Sequence, residues 1–164
     1  MTALVIAEHK LDKINDETLK AISAAFKLSD NVNLLILGNN LQKVVSHAKA
    51  IGSIKKVLVI EHEDLADYQA ETWADQVTDV LIKTEKIKFI LISNSSLGKD
   101  LLPRIASCHD SEQISDVVEI IDDRTFLRPI YAGNLLSKVS SEQELNFLTV
   151  RANRFVLPKT SQGS

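Results

Sequence analysis

The residues of this chain that carry reactive or ligand-binding groups are mostly dispersed, and the densest group is residues 93–99, Ser-Asn-Ser-Ser-Leu-Gly-Lys. Hydroxyls, one glycine and a lysine at the start of a helical pattern are the parts of an anion cradle, where backbone N–H groups and the positive helix end face negative charge. The same composition also makes a polar turn that caps its own helix, and residue types leave both readings open. A second turn where phosphate could sit, Ala7-Glu8-His9-Lys10, has no glycine, and the Glu8 carboxylate would repel the ligand. The G-x-G-x-x-G pattern, Walker spacing and the nucleophile elbow are all absent. His9, His47, His62 and His109 form no i, i+4 metal pair, and His62 sits in an acidic stretch of the kind usual for a solvated loop. Cys108 and His109 are sequence neighbours and would point about 100° apart on a helix, a poor metal pair and a doubtful catalytic one. No Ser-His-Asp order is present. The expectation is a chain with no metal site and no catalytic constellation, hence not an enzyme.

The elements that must position these groups alternate in type. Residues 3–7, 31–37, 57–60 and 89–92 are short apolar runs that read as strands, the first buried and the last buried on both faces. Between them lie helical patterns: Leu19, Ile22 and Phe26, with Asn15 as a cap; Val44, Val45, Ala48 and Ile51, with Asn40 as a cap and Gly52 at the C-cap; and Trp73, Val77, Val80, Leu81 and Thr84. A fourth helix is expected from Lys99, with Pro103 in its first turn or two. Four strand–helix alternations in the first 108 residues define a mostly parallel, doubly wound α/β sheet with helices on both faces. Ligands or partners of such sheets sit beyond the carboxyl ends of the strands, which is where the 93–99 turn falls.

After Cys108 the pattern changes to strands at 117–121, 125–132, 135–139 and 144–150, read as a small antiparallel β section in which the last two pair across residues 140–143. Residues 152–164 read as a linker or tail behind a single domain over residues 1–151. Arg104 and Arg128 read either as two exposed arginines or as partners of carboxylates between subdomains or subunits, where the planar guanidinium is favoured.

Size and charge narrow the classes further. A chain of 164 residues buries about 70% of its unfolded surface and needs no disulfide. A net charge of −3 argues against nucleic acid as a partner. One cysteine fits a reducing compartment. The amino-terminal residues show neither signal-peptide nor transit-peptide character, and no run of apolar residues is long enough to span a membrane.

Four stretches together resemble a known family. They are Leu4-Val5-Ile6-Ala7-Glu8-His9; Ile54-Lys55-Lys56-Val57-Leu58-Val59; Ser96-Leu97-Gly98-Lys99-Asp100-Leu101-Leu102-Pro103-Arg104-Ile105-Ala106; and Ile114-Ser115-Asp116 followed by Phe126-Leu127-Arg128-Pro129-Ile130-Tyr131-Ala132-Gly133-Asn134. In order and spacing they resemble the N-terminal domain of the electron transfer flavoprotein alpha subunit. The resemblance implies a Rossmann-like fold, similar to adenine nucleotide alpha-hydrolase-like domains, and a heterodimer with a beta subunit. It implies one FAD per heterodimer, carrying electrons from acyl-CoA and other dehydrogenases of fatty acid beta-oxidation to a membrane-bound quinone oxidoreductase. The family's FAD residues lie in the second half of alpha, with further contacts from beta, so no cofactor-binding residue is carried onto this sequence and this chain alone is not expected to bind FAD. The chain then reads as a piece ending at a domain boundary, with a naturally short protein as the alternative. On this reading Gly98, Lys99, Arg104, Arg128, Tyr131, Gly133 and Asn134 are candidates to face another protein, and the setting is bacterial cytoplasm, or mitochondrial matrix in a eukaryote. The competing reading is a stand-alone AMP- or ATP-binding module using the 93–99 turn.

Overall fold

The computed structural model describes residues 1–84 and 86–158. The chain forms β1 (Thr2–Ile6), a short hairpin of β2 (His9–Lys10) and β3 (Lys13–Ile14), α1 (Asp16–Phe26), β4 (Val32–Gly38), α2 (Gln42–Lys49), β5 (Lys56–Glu61), α3 (Ala70–Lys83), β6 (Ile87–Ser93) and α4 (Ser96–Cys108). It continues through β7 (Gln113–Val117), β8 (Glu119–Asp122), β9 (Thr125–Ile130), β10 (Leu135–Ser140) and β11 (Asn146–Val150).

Six strands form one sheet in the order β5-β4-β1-β6-β11-β7, and every neighbouring pair is parallel. Alternate side chains of a strand leave on opposite faces, so Ala3 and Val5 enter one core while Leu4 and Ile6 enter the other. The first core takes Ala21, Ile22 and Ala25 of α1 and Val44 and Ala48 of α2. The second takes Trp73, Val77 and Leu81 of α3 and Leu101, Leu102 and Ile105 of α4. A strand covered on both faces is apolar along nearly all its length, which is why β1 and β4 read as apolar runs, with Thr2 and Asn33 as their buried polar residues. Each fully buried Leu, Ile or Phe contributes about 1.5–3 kcal/mol. A separate antiparallel sheet, β10-β9-β8, lies beside β7 and drives Phe126, with Ile120 and Val139, into the first core.

The parallel sheet with helices on both faces and the small antiparallel section match the expectation. Several details differ. The last two strands do not pair with each other: β10 pairs with β9, while β11 inserts between β6 and β7 in the large sheet. All five β11 residues are buried, so the strand needs cover on both faces, which a hairpin with the exposed β10 could not supply. The strand expected over 117–121 is broken at Val118 between two sheets. Helix α4 starts at Ser96 rather than Lys99, which leaves Pro103 inside the helix, where it offers no N–H to the Lys99 carbonyl. Asn40 does not cap α2; it sits at φ +55°, and the Leu41 N–H is taken instead by Glu61 Oε2 at 2.8 Å. The left-handed residue after α2 is Ser53, not Gly52. Asn15 precedes α1 but makes no side-chain cap bond, and the best-buried face of α1 is the alanine face, with Leu19 and Phe26 at its margins. Inside the stretch read as a tail, Ala152–Arg154 form a 3-10 turn and Phe155 is buried in the first core. Residues 159–164 of that stretch lie outside the described residues.

Candidate functional site

The strand order reverses between β1 and β6, and at such a switch point the carboxyl ends of the strands open a crevice. Here the crevice is a cavity of about 520 Å³ lined by Glu8, Asn15, Glu17, Ser93, Ser95 and Arg151, among others. The 93–99 turn therefore lies where the sequence pattern places it. Its hydroxyls are already engaged. Ser95 Oγ donates to Glu8 Oε1 at 2.6 Å, and Ser93 Oγ donates to the same oxygen at 2.9 Å. Ser95 Oγ also accepts the Gly98 N–H at 3.0 Å, so this serine is the N-cap of α4 while it grips the carboxylate.

Glu8 is held from behind by its own backbone. Its N–H donates to Thr18 Oγ1 at 2.9 Å, and its carbonyl accepts the Asn15 N–H at 2.9 Å. Thr18 is fully buried at the start of α1, so the clamp is rigid. The cation at the crevice rim, Arg151, is committed elsewhere: Nε donates to Asp116 Oδ1 at 2.9 Å, and Nη2 bonds Asp116 Oδ2. That hydrogen bonding holds the Arg151 guanidinium above its ordinary basicity. Asp116, at φ +59°, gives its N–H to Thr149 Oγ1, which in turn donates to Asn94 Oδ1 at 3.0 Å. The ends of β7, β11 and β6 are thus laced together by one polar chain.

The candidate interface residues fall into distinct groups. Gly98 is buried, and a Cβ there would overlap the carbonyl oxygen of Ser93. It serves the close approach of α4 to β6. Arg128 is half-buried, with Nε donating to the Ser115 carbonyl at 2.9 Å and Nη2 to Ser115 Oγ at 3.1 Å, so it ties β9 to β7. Arg104 is exposed beside Asp100 at 3.6 Å on its own helix, and Asp100 also accepts the Tyr68 hydroxyl at 2.8 Å. Lys99 is exposed and lines a cavity that includes Ser115, which brings it to the residue Arg128 holds. Tyr131, Gly133 and Asn134 are exposed in the β9–β10 turn, where Tyr131, Ala132 and Gly133 have φ of +51°, +56° and +88°. Left-handed φ at two non-glycine residues costs energy, and the turn it shapes presents Tyr131 at 74% exposure.

Ile121, Leu135 and Leu136 are also exposed, at 48%, 54% and 56%, and together with Tyr131 they belong to the small sheet or its turn. Sequence reasoning found Tyr131 but missed Ile121, Leu135 and Leu136, and it missed the partners of Glu8. Glu8 had one legible signal, a carboxylate immediately after the first strand. Its serine partners lie 85 and 87 residues away and meet it only because β6 is laid beside β1.

The class is therefore a doubly wound parallel α/β domain that carries an appended antiparallel sheet, and its switch-point crevice holds the domain's own carboxylate. The profile of the electron transfer flavoprotein domain matches residues 3–164. The chain is 34% identical to the electron transfer flavoprotein subunit alpha, mitochondrial, of Dictyostelium discoideum, over 99% of this chain and 47% of that protein. It is 32% identical to the electron transfer flavoprotein subunit alpha of Pseudomonas aeruginosa, over 100% of this chain and 52% of that protein. It is 34% identical to the mitochondrial alpha subunit of Arabidopsis thaliana, over 98% and 46%. The chain belongs to the electron transfer flavoprotein family, and it spans about half the length of the curated relatives it matches.

Proposed function

We propose that this chain is the amino-terminal scaffold of an electron transfer flavoprotein alpha subunit, acting in electron transfer rather than catalysis. It docks on a beta subunit and supports an FAD whose binding groups lie in other polypeptide. The assembled flavoprotein carries electrons from acyl-CoA and other dehydrogenases toward a quinone oxidoreductase, in the bacterial cytoplasm or the mitochondrial matrix. The observation that carries the docking role is the exposure of Tyr131, Leu135 and Leu136 together at the β9–β10 turn end of the small sheet. Exposed apolar residues gathered in one region mark an interaction surface more often than scattered ones do. The residues of the switch-point crevice do not fit the diphosphate of FAD: Glu8 and Glu17 line it, and Arg151 is bound to Asp116. No step of flavin chemistry is assigned to this chain. Lys99, Tyr131, Gly133 and Asn134 are the surface residues of the docking proposal, and Arg104 joins them through its exposed side.

The test is to mix the purified chain with a beta subunit of the same family, with and without FAD. The expected result is a complex of the two chains and no stoichiometric yellow complex of this chain with FAD alone. Tight FAD binding by this chain alone, or no association with beta in any combination, would overturn the proposal. No observation on the structure favours the competing nucleotide-module reading.

A further inference from the structure

The switch-point crevice has the geometry of a ligand site and the wrong charge for an anionic ligand, and both follow from Glu8. Two hydroxyls converge on Glu8 Oε1, from Ser93 at the end of β6 and from Ser95 at the cap of α4. Behind them lies the amino end of a 13-residue helix, whose partial positive charge favours negative groups. In a ligand-binding domain of this class those donors would meet a phosphate or carboxylate brought from solution. Here a carboxylate of the chain itself meets them, held in register by the Thr18 and Asn15 bonds to the Glu8 backbone.

We propose that Glu8 is a built-in anion, a positioning residue whose carboxylate takes the place of a ligand oxyanion at the switch point, locks β1, β6 and α4 together, and closes the crevice to free phosphate. The geometry suits a carboxylate oxygen, which offers lone pairs and no donor of its own. A single oxygen accepts two O–H donors, at 2.6 and 2.9 Å, and the shorter bond is in the range of a charge-assisted one. A free anion would have to displace a tethered group that meets these donors intramolecularly, without the cost of being brought from solution. Glu17 on the same rim adds like-charge repulsion, and the pairing of Arg151 with Asp116 removes the cation that could offset it. The inference concerns one side chain and stands whether or not the chain assembles with a beta subunit.

The test is chemical rescue. Glu8→Ala removes the anion and leaves the serine hydroxyls and the helix end in place. Thermal unfolding of the wild type and of Glu8→Ala is followed in sodium chloride, sodium acetate and sodium phosphate at matched ionic strength. The expected result is a lower melting temperature for Glu8→Ala in chloride, restored in part by acetate or phosphate, with a response at least tenfold larger than that of the wild type at equal anion concentration. Calorimetry with phosphate should show binding to the variant and none to the wild type. Equal responses of the two proteins, or an intact Glu8→Ala variant indifferent to both anions, would overturn the inference. If Glu8→Ala does not fold in chloride, refolding decides it: recovery of folded protein in phosphate or acetate supports the inference, and recovery in neither overturns it.

Discussion

Arg128 of β9 reaches across to Ser115 of β7, with Nε 2.9 Å from the carbonyl and Nη2 3.1 Å from the hydroxyl. The two residues belong to different sheets, so this pair is one of the fastenings that hold the small sheet to the large one. A bond from a charged donor is worth roughly 1.5–3 kcal/mol when buried, and half-burial places this pair at the lower end. Arg128→Ala is expected to lower unfolding free energy by about 1–2 kcal/mol, measured by urea titration. A change within noise would show that Ser115 is held by something else. The pairing thus falls between two parts of the domain, as one form of the expectation had it, but its partner is Ser115 rather than a carboxylate.

Gly98 sits against the backbone of Ser93 so closely that no side chain fits. Alanine favours a helix by up to about 1 kcal/mol over glycine, but the obstacle is a main-chain carbonyl, which cannot rotate away. Overpacking of this kind costs about 1–3 kcal/mol or more. Gly98→Ala is therefore expected to destabilise by about 2 kcal/mol, and a stabilised variant would refute the packing argument.

Phe126 is the one residue of β9 buried completely, and it plugs the small sheet into the first core. Phe126→Ala is expected to cost about 3–5 kcal/mol. Hydrogen exchange should rise first in β8, β9 and β10. Uniform loss of protection across both sheets would mean that the small sheet does not open separately.

The hydroxyl of Tyr68 is held above its ordinary pKa, first by burial and then by its bond to Asp100. A folded-state pKa raised above the unfolded value makes the contribution complete below about pH 10 and lost as pH rises beyond it. Tyr68→Phe should therefore flatten the alkaline fall in stability above about pH 10 while leaving the profile near neutrality parallel to that of the wild type. Superimposable alkaline slopes would contradict this. At the acid end, the Arg124 N–H, which donates to Oδ1 at 2.8 Å, lowers the Asp122 pKa. The β8–β9 turn should accordingly loosen only as pH falls through the carboxylate range.

Tyr131 and Leu136 lie outside the core, so replacing either with serine should change the stability of the free chain by no more than about 0.5 kcal/mol. Each should weaken association with a beta subunit by more than about 1 kcal/mol if the small sheet is the docking face. Unchanged affinity for both variants would move the interface elsewhere.

The layers of this domain were readable along the chain because local pattern and burial coincide there. An apolar run such as 89–92 can satisfy both its faces only inside a covered sheet, and Trp73, Val77 and Leu81 recur at the helical period because one face of α3 is dry. Periodicity also identified α1, though not that its buried face is mostly alanine. The later strands were harder. Whether Asn146–Val150 pairs with its chain neighbour or crosses to β6 is a choice between a partner near in sequence and one distant in sequence, and the loop before the strand does not decide it. The choice follows from the need to cover Phe147 and Leu148 on opposite faces at once.

Residue order therefore settles the class of fold, the 93–99 turn as a strand-end feature, and the likeness to a family. The state of the crevice depends on tertiary structure alone. Ser93 and Ser95 read equally well as an anion cradle or as a cap, and they became an internal lock only when β6 was placed beside β1 and Glu8 was brought within hydrogen-bonding reach. Hydrogen bonds act over about 3 Å, whereas these partners are more than eighty positions apart in the chain, so only folding could reveal that they meet.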